Sequence, residues 1–284
     1  MAAFSTGFIV TAAAALKAKI FGAGRWQAAT LRLRSQLQAS RQPLPPAPVD
    51  LTTELAALPR PVQRWLTQVL TDGQPRIAAV TVRHSGRFNT RNDGVRWRPF
   101  RSEQRVVIGR PGFLWDARIS ILPGLSVHVH DAYVAGRGLL HAAIGGLVKV
   151  AHEEGSGELA RGELMRWAAE AAWYPTALLP GPHIGWSPID DSAARLRVSD
   201  GPNHVSLRVQ FDEHGLIQAV QADDRPRIID GKPFPTAWRG RFWNYQRIQG
   251  MCIPLDAEAT WLGPGGPLPY WRGHIEAIEY EFAS

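Results

Sequence analysis

The sequence predicts an α+β fold: a large curved antiparallel β-sheet of about eleven strands, with a two-helix insert at about residues 138–178 and an N-terminal helix. Three observations support this. Two blocks of period-two alternation rich in Val, Ile, Trp and Phe are punctuated by Gly, Pro, Asn and Asp turns. The alternation breaks once, in mid-chain, where apolar residues recur at helical spacing. Residues 1–49 are basic and helix-prone. Consecutive hairpins make a meander rather than a doubly wound sheet, and a sheet this large curls.

The first 49 residues form a basic tail. They hold Lys17, Lys19, Arg25, Arg32, Arg34 and Arg41 and no acid, which leaves 26 bases against 25 acids in the remainder. A nearly neutral folded part argues against nucleic acid as a partner. The apolar stretch Phe4–Leu16 is too short to span a bilayer. It also lacks the preceding positive charges of a secretory signal. The chain is therefore expected to be cytoplasmic or peripheral to a membrane. Residues 1–41 either lie on an anionic membrane surface or form a loosely docked terminus. Gln42–Pro48 reads as an extended spacer, placing the start of a single domain, 50–284, just after it.

Within that domain, Asp50–Glu54 has the character of a helix start. Val62, Trp65, Leu66 and Val69 continue at helical spacing. Strands are expected at about 75–84, 94–108, 112–121 and 125–135, with a turn at Asn92-Asp93-Gly94. On the fourth strand Val127, Val129, Asp131 and Tyr133 share one face. The Asp131 carboxylate there needs a partner or water. The insert begins with the stripe Leu139, Leu140, Ala143, Ile144, Leu147, Val148 and Ala151, read as a first helix. A second follows from about Glu158 to Ala172. Seven further strands are expected beyond 183, with a turn at Asp230-Gly231.

Little in the sequence announces chemistry. No phosphate-binding or dinucleotide glycine motif is present, and Cys252 sits in an apolar run that favours an inert buried thiol. His128 and His130 share a strand face and read as solvated histidines rather than metal ligands. Eleven tryptophans suggest an aromatic-rich interior or cavity lining. On the second insert helix Glu163, Arg166 and Glu170 fall at i, i+3 and i+7, and Arg166 can pair with Glu170. That stripe either faces solvent as a salt-bridged surface or faces the sheet as the polar anchor of an apolar pocket.

The segment Arg166-Trp167-Ala168-Ala169-Glu170 through Trp173-Tyr174-Pro175 to Leu179-Pro180 resembles a bacterial family of unknown function. So do Leu58–Trp65, Phe113–Arg118, Asp131–Gly138 and Gly250–Pro254. The likeness spans roughly 55–282 and leaves the tail unmatched. In architecture the family is similar to periplasmic lipoprotein carriers, the LolA/LolB-like proteins. The resemblance implies a half-barrel whose insert helices close the concave side over an apolar ligand. It brings no catalytic residues, metal or cofactor.

The expected role is therefore a non-catalytic binding protein for a hydrophobic or lipid-like molecule. Its expected ligand-binding residues are Trp115, Asp131, Tyr133, Arg166, Trp167, Glu170 and Trp173. One alternative is a hydrolase or isomerase using Asp131 and Glu170 as an acid/base pair. Another is a membrane-surface scaffold acting through the tail.

Overall fold

The computed structural model describes residues 3–91, 94–229 and 232–284, with the side chains of residue 17 and of residue 19 onward. The turns expected at Asn92-Asp93 and Asp230-Gly231, and the side chains of the apolar stretch Phe4–Leu16, lie outside the described residues.

Helix α1 spans Ala3–Ala39, and the short helices α2, Leu51–Leu55, and α3, Arg60–Val69, follow the spacer. Asp50 caps α2: its carboxylate accepts from the Thr53 amide, while the Asp50 amide donates to Glu54 Oε1 at 3.2 Å. This satisfies two backbone donors that a helix start leaves open. Helix α3 buries Val62, Trp65, Leu66 and Val69, the set its spacing predicts. The first strands are β1 Ile77–Asn89, β2 Trp97–Val107, β3 Gly112–Leu122, β4 Leu125–Val134, β5 Arg137–Ile144 and β6 Val148–Gly155. Helix α4, Glu158–Glu170, leads through two short 3-10 turns into β7 Ile184–Asp190, β8 Ala193–Asp200, β9 Asn203–Phe211 and β10 Ile217–Ile229. The chain finishes with β11 Lys232–Ile248, β12 Met251–Gly263 and β13 Gly266–Phe282.

Among the described residues thirteen strands make one antiparallel sheet, in the order β6-β5-β4-β3-β2-β1-β13-β12-β11-β10-β9-β8-β7. The chain builds outward from β1 to one edge, β6. It then crosses the hollow through α4, re-enters at the far edge, β7, and works back until β13 pairs with β1. The sheet is open, with α4 strapped across its concave side. At one rim the two halves are also tied by a polar knot. The Tyr133 hydroxyl donates to Asp200 Oδ2 at 2.9 Å, and Asn203 Nδ2 donates to that hydroxyl and to the Gly136 carbonyl. Arg110 pairs with the same Asp200 at 2.8 Å.

The helical reading of 139–151 is corrected: this segment is the hairpin β5–β6, which brings the strand count to thirteen and leaves α4 as the insert's one long helix. The reason lies in Gly145-Gly146. Their φ angles are +59° and +73°, so they form a turn that right-handed helix cannot contain, and two adjacent glycines weaken a helix in any case. Val148, counted in the apolar stripe, is not a core residue: it stands exposed on the edge strand β6, as Val150 does.

The tail is one long helix, and it docks on the convex face. Trp26 and Leu37 are buried, and Leu37 and Leu33 pack with Ala79, Val107, Leu114 and Ala132. This corrects the reading of His130 as solvated. The side chain lies fully buried under α1, with the Trp26 ring stacked on it at 3.9 Å. Asp116 accepts from Trp26 Nε1 at 3.0 Å and from the Thr30 hydroxyl at 3.1 Å. Thr30 Oγ1 also lies 2.7 Å from His130 Nε2. With the hydroxyl proton directed to Asp116 or to the Trp26 carbonyl, the tautomer that pairs His130 with Thr30 carries its hydrogen on Nε2, and Nδ1 is left buried without a partner among the described residues. Thr30→Val should therefore leave the buried His130 ring without its hydrogen-bond partner, while Asp116 keeps Trp26, and lower stability by about 2 kcal/mol, read from urea unfolding. A change below about 0.5 kcal/mol would show that α1 is not docked in solution. Among the described residues no helix is long and apolar enough to cross a membrane.

Candidate functional site

Helix α4 turns its Glu163–Arg166–Glu170 stripe toward the sheet. Of the two orientations open from sequence, the structure takes the inward one. Arg166 is the hub: Nε donates to Glu170 Oε1 at 2.7 Å, Nη1 to Asp131 Oδ2 at 2.6 Å, and Nη2 to Gln104 Oε1 at 3.2 Å. Gln104 Nε2 closes the ring by donating to Glu170 Oε2 at 2.6 Å. The guanidinium lies over the rings of Phe113 and Trp115, 4.8 and 5.1 Å from their centroids. Burial opposes its charge, but the Glu170 and Asp131 carboxylates outweigh burial and raise its pKa above the ordinary arginine value. Asp131, the carboxylate on an apolar strand face, thus has the partner its position demands.

Glu163, one turn earlier and buried, has no such partner. Burial first, and then the negative charge of Asp131, hold its carboxyl well above the usual carboxylate range, against the pull of Arg225 and Arg166. Glu163 Oε2 and Asp131 Oδ1 are both buried and make no hydrogen bond among the described residues.

Beside this cluster, between α4 and the sheet, lies a cavity of about 290 Å³. Leu159, Gly162, Glu163 and Arg166 form its helical side, and Trp238, Trp261, Tyr270 and Trp271 part of its sheet side. Trp173, from the 3-10 turn after α4, contributes another wall. Its indole N–H and that of Trp271 are buried without acceptors among the described residues.

Of the residues expected from sequence, Asp131, Arg166, Glu170 and Trp173 meet at this cavity. Trp115 supports Arg166 from beneath and is not part of the lining. Tyr133 belongs to the rim knot with Asp200. Trp167 donates to the Val107 carbonyl at 3.2 Å and accepts, through its own carbonyl, from the Tyr174 hydroxyl. Both of these residues lie outside the lining.

Sequence reasoning missed Arg225, on β10. Its partner strand advances two residues, from Trp238 to Thr236, while β10 advances three, from Ala222 to Arg225. This bulge leaves Asp223 and Asp224 outside and turns Arg225 inward, where strict alternation would have aimed Asp224. In the run Ala-Asp-Asp-Arg-Pro only Pro226 hints at a bulge, since a proline inside a central strand is confined to such irregularities, and it does not say which residue is extra.

Cys252 is partly buried, and burial pushes its thiol up rather than activating it. Among the described residues no group of three or more His, Cys, Asp or Glu is placed to hold a metal.

The fold and site together define a class: an open antiparallel half-barrel with a helical strap over an aromatic cavity. The chain belongs to DUF6920, a family of unknown function, whose model matches residues 56–280. Among solved structures it is similar to a putative outer membrane lipoprotein-sorting protein domain from Vibrio parahaemolyticus. The identity is 9%, over 72% of this chain and 86% of that one, with a TM-score of 0.36. It is also similar to a LolA superfamily protein from Nitrosomonas europaea, at 12% identity over 82% of this chain and 94% of that one, with a TM-score of 0.40. No curated protein matches the sequence.

Proposed function

We propose that this protein is a non-catalytic binding protein that holds a hydrophobic, lipid-like ligand between α4 and the concave sheet. The observation that carries this reading is the cavity itself. Its volume of about 290 Å³ is at the lower end of the range for small-molecule sites, and its lining combines aromatic walls with charged side chains. Its polar atoms include acceptors on Asp131 and Glu163 and donors on Trp173 and Trp271 that have no partner among the described residues. Buried polar groups without partners are costly, and a ligand with a polar end would satisfy them. The acid/base alternative draws less support, because Asp131 and Glu170 are both clamped to Arg166.

Protein purified from its host should carry a hydrophobic molecule in native mass spectra, and the emptied protein should bind a fluorescent fatty-acid probe. Filling the cavity with Ala259→Trp, from the sheet side of the lining, should weaken the probe by about tenfold or more with little change in thermal unfolding. A protein that emerges empty and ignores the probe would end this reading.

A further inference from the structure

The cavity lining contains five carboxyl groups, and four of them already pair with an arginine. Asp131 and Glu170 share Arg166. Glu158 pairs with Arg161 at 2.9 Å and Glu258 with Arg272 at 2.6 Å. The fifth, Glu163, is the one that burial and Asp131 drive toward its neutral form. Arg225 lines the same cavity, is 7% exposed, and pairs with no carboxylate among the described residues.

Its surroundings position the guanidinium without neutralising it. The rings of Trp238 and Trp261 lie 4.9 and 5.6 Å from its central carbon, which favours a cation but supplies no counter-ion. The side chain's one hydrogen bond among the described residues is long, from Nη1 to the Tyr270 hydroxyl at 3.4 Å. Nε is buried with no acceptor among those residues. Tyr270 also accepts from Trp238 Nε1 at 3.0 Å, so its own O–H proton remains to be donated. The bulge in β10 therefore delivers a cluster of unused donors, with a net positive charge, to one side of an apolar cavity.

We propose that this cluster receives the anionic head of an amphiphile, a carboxylate or phosphate gripped by the open donors of Arg225 and by the Tyr270 hydroxyl. This inference rests on the binding role proposed above and specifies the ligand's chemistry. A guanidinium fork matches two oxygens of such a head. The apolar chain lies along Trp173 and Trp271, and inserting the head replaces an uncompensated buried cation with a pair.

The test is calorimetric titration of the full chain with dodecanoate, dodecyl phosphate and dodecanol, which share a tail, and with acetate and inorganic phosphate, which have none. At least one anionic amphiphile should bind about tenfold or more tighter than the alcohol, and the tail-less anions should bind far more weakly than either. Arg225→Met should erase the preference for the anion while the alcohol's affinity changes little. Arg225→Lys should retain part of it. If the alcohol binds as tightly as both anionic amphiphiles, the head assignment fails and the binding role survives. If acetate or inorganic phosphate binds as tightly as its amphiphile, the cluster is a free-anion site and the amphiphile assignment fails. If no amphiphile binds, both fall. The wild-type comparison decides the matter even if Arg225→Met does not fold.

Discussion

Replacing Arg166 with alanine is expected to lower the unfolding free energy by about 3–5 kcal/mol, the usual cost of leaving buried carboxylates without their cation. Three acceptors lose their donor at once, from Asp131, Glu170 and Gln104, and the rings of Phe113 and Trp115 lose the guanidinium packed over them. The triple variant Arg166→Met, Asp131→Asn, Glu170→Gln should recover most of the loss, since a buried ionic cluster is costly to break and much less costly to replace whole. Urea unfolding of the three proteins measures both effects. If Arg166→Ala alone costs under about 1 kcal/mol, the cluster is solvated rather than buried.

The second large effect is acid lability. His84 is buried against Trp173 and Trp271, and burial followed by the charge of Arg166 pulls its pKa down to about 3 from an ordinary 6.5. Burial likewise takes His130, under Trp26, down to about 4, with Asp116 opposing. A histidine held neutral in the folded state takes up its proton first in the unfolded one. Stability is therefore full above pH 6.5, falls as pH drops below it, and goes on falling until the folded-state value is reached. Each pH step of one across that window is worth about 1.4 kcal/mol for each such group. His84 alone thus contributes a loss on the order of 4 kcal/mol between pH 6.5 and 3. His84→Phe should flatten the slope of stability against pH between 6.5 and 4. An unchanged slope would place the lability in the carboxylates instead.

Most of the fold was legible because an alternating strand carries its signal locally. Val205, Leu207, Val209 and Phe211 are the buried set that β9's pattern predicts. The contact between α4 and β4 was legible only in part. Arg166 and Glu170 sit at a spacing that pairs them, and Asp131 stands on a face where a lone charge is untenable, but local pattern left both orientations of the stripe open, and only the packing of α4 brings the three together. The failures arise where local pattern is ambiguous or silent. Two glycines decide between helix and hairpin at 139–151, and apolar periodicity does not weigh them. One extra residue in β10 decides that Arg225 rather than Asp224 enters the cavity, and register is a property of the strand pair rather than of either strand. His130 looked solvated because its cover, α1, comes from a segment a hundred residues earlier in the chain.

The way the sheet closes has a kinetic consequence. Every strand pairing except one joins neighbours in sequence, so hairpins can assemble each half by short-range search. The exception is the seam between β1 and β13, where Val80 meets Tyr280, 200 residues further along. Such distant pairing raises contact order and slows folding, because the entropy of closing a long loop is lost before any seam contact forms. Until the seam forms, two partial sheets present extra unpaired strand edges to one another and to neighbouring chains. The middle of the finished sheet is therefore the part that folding reaches last.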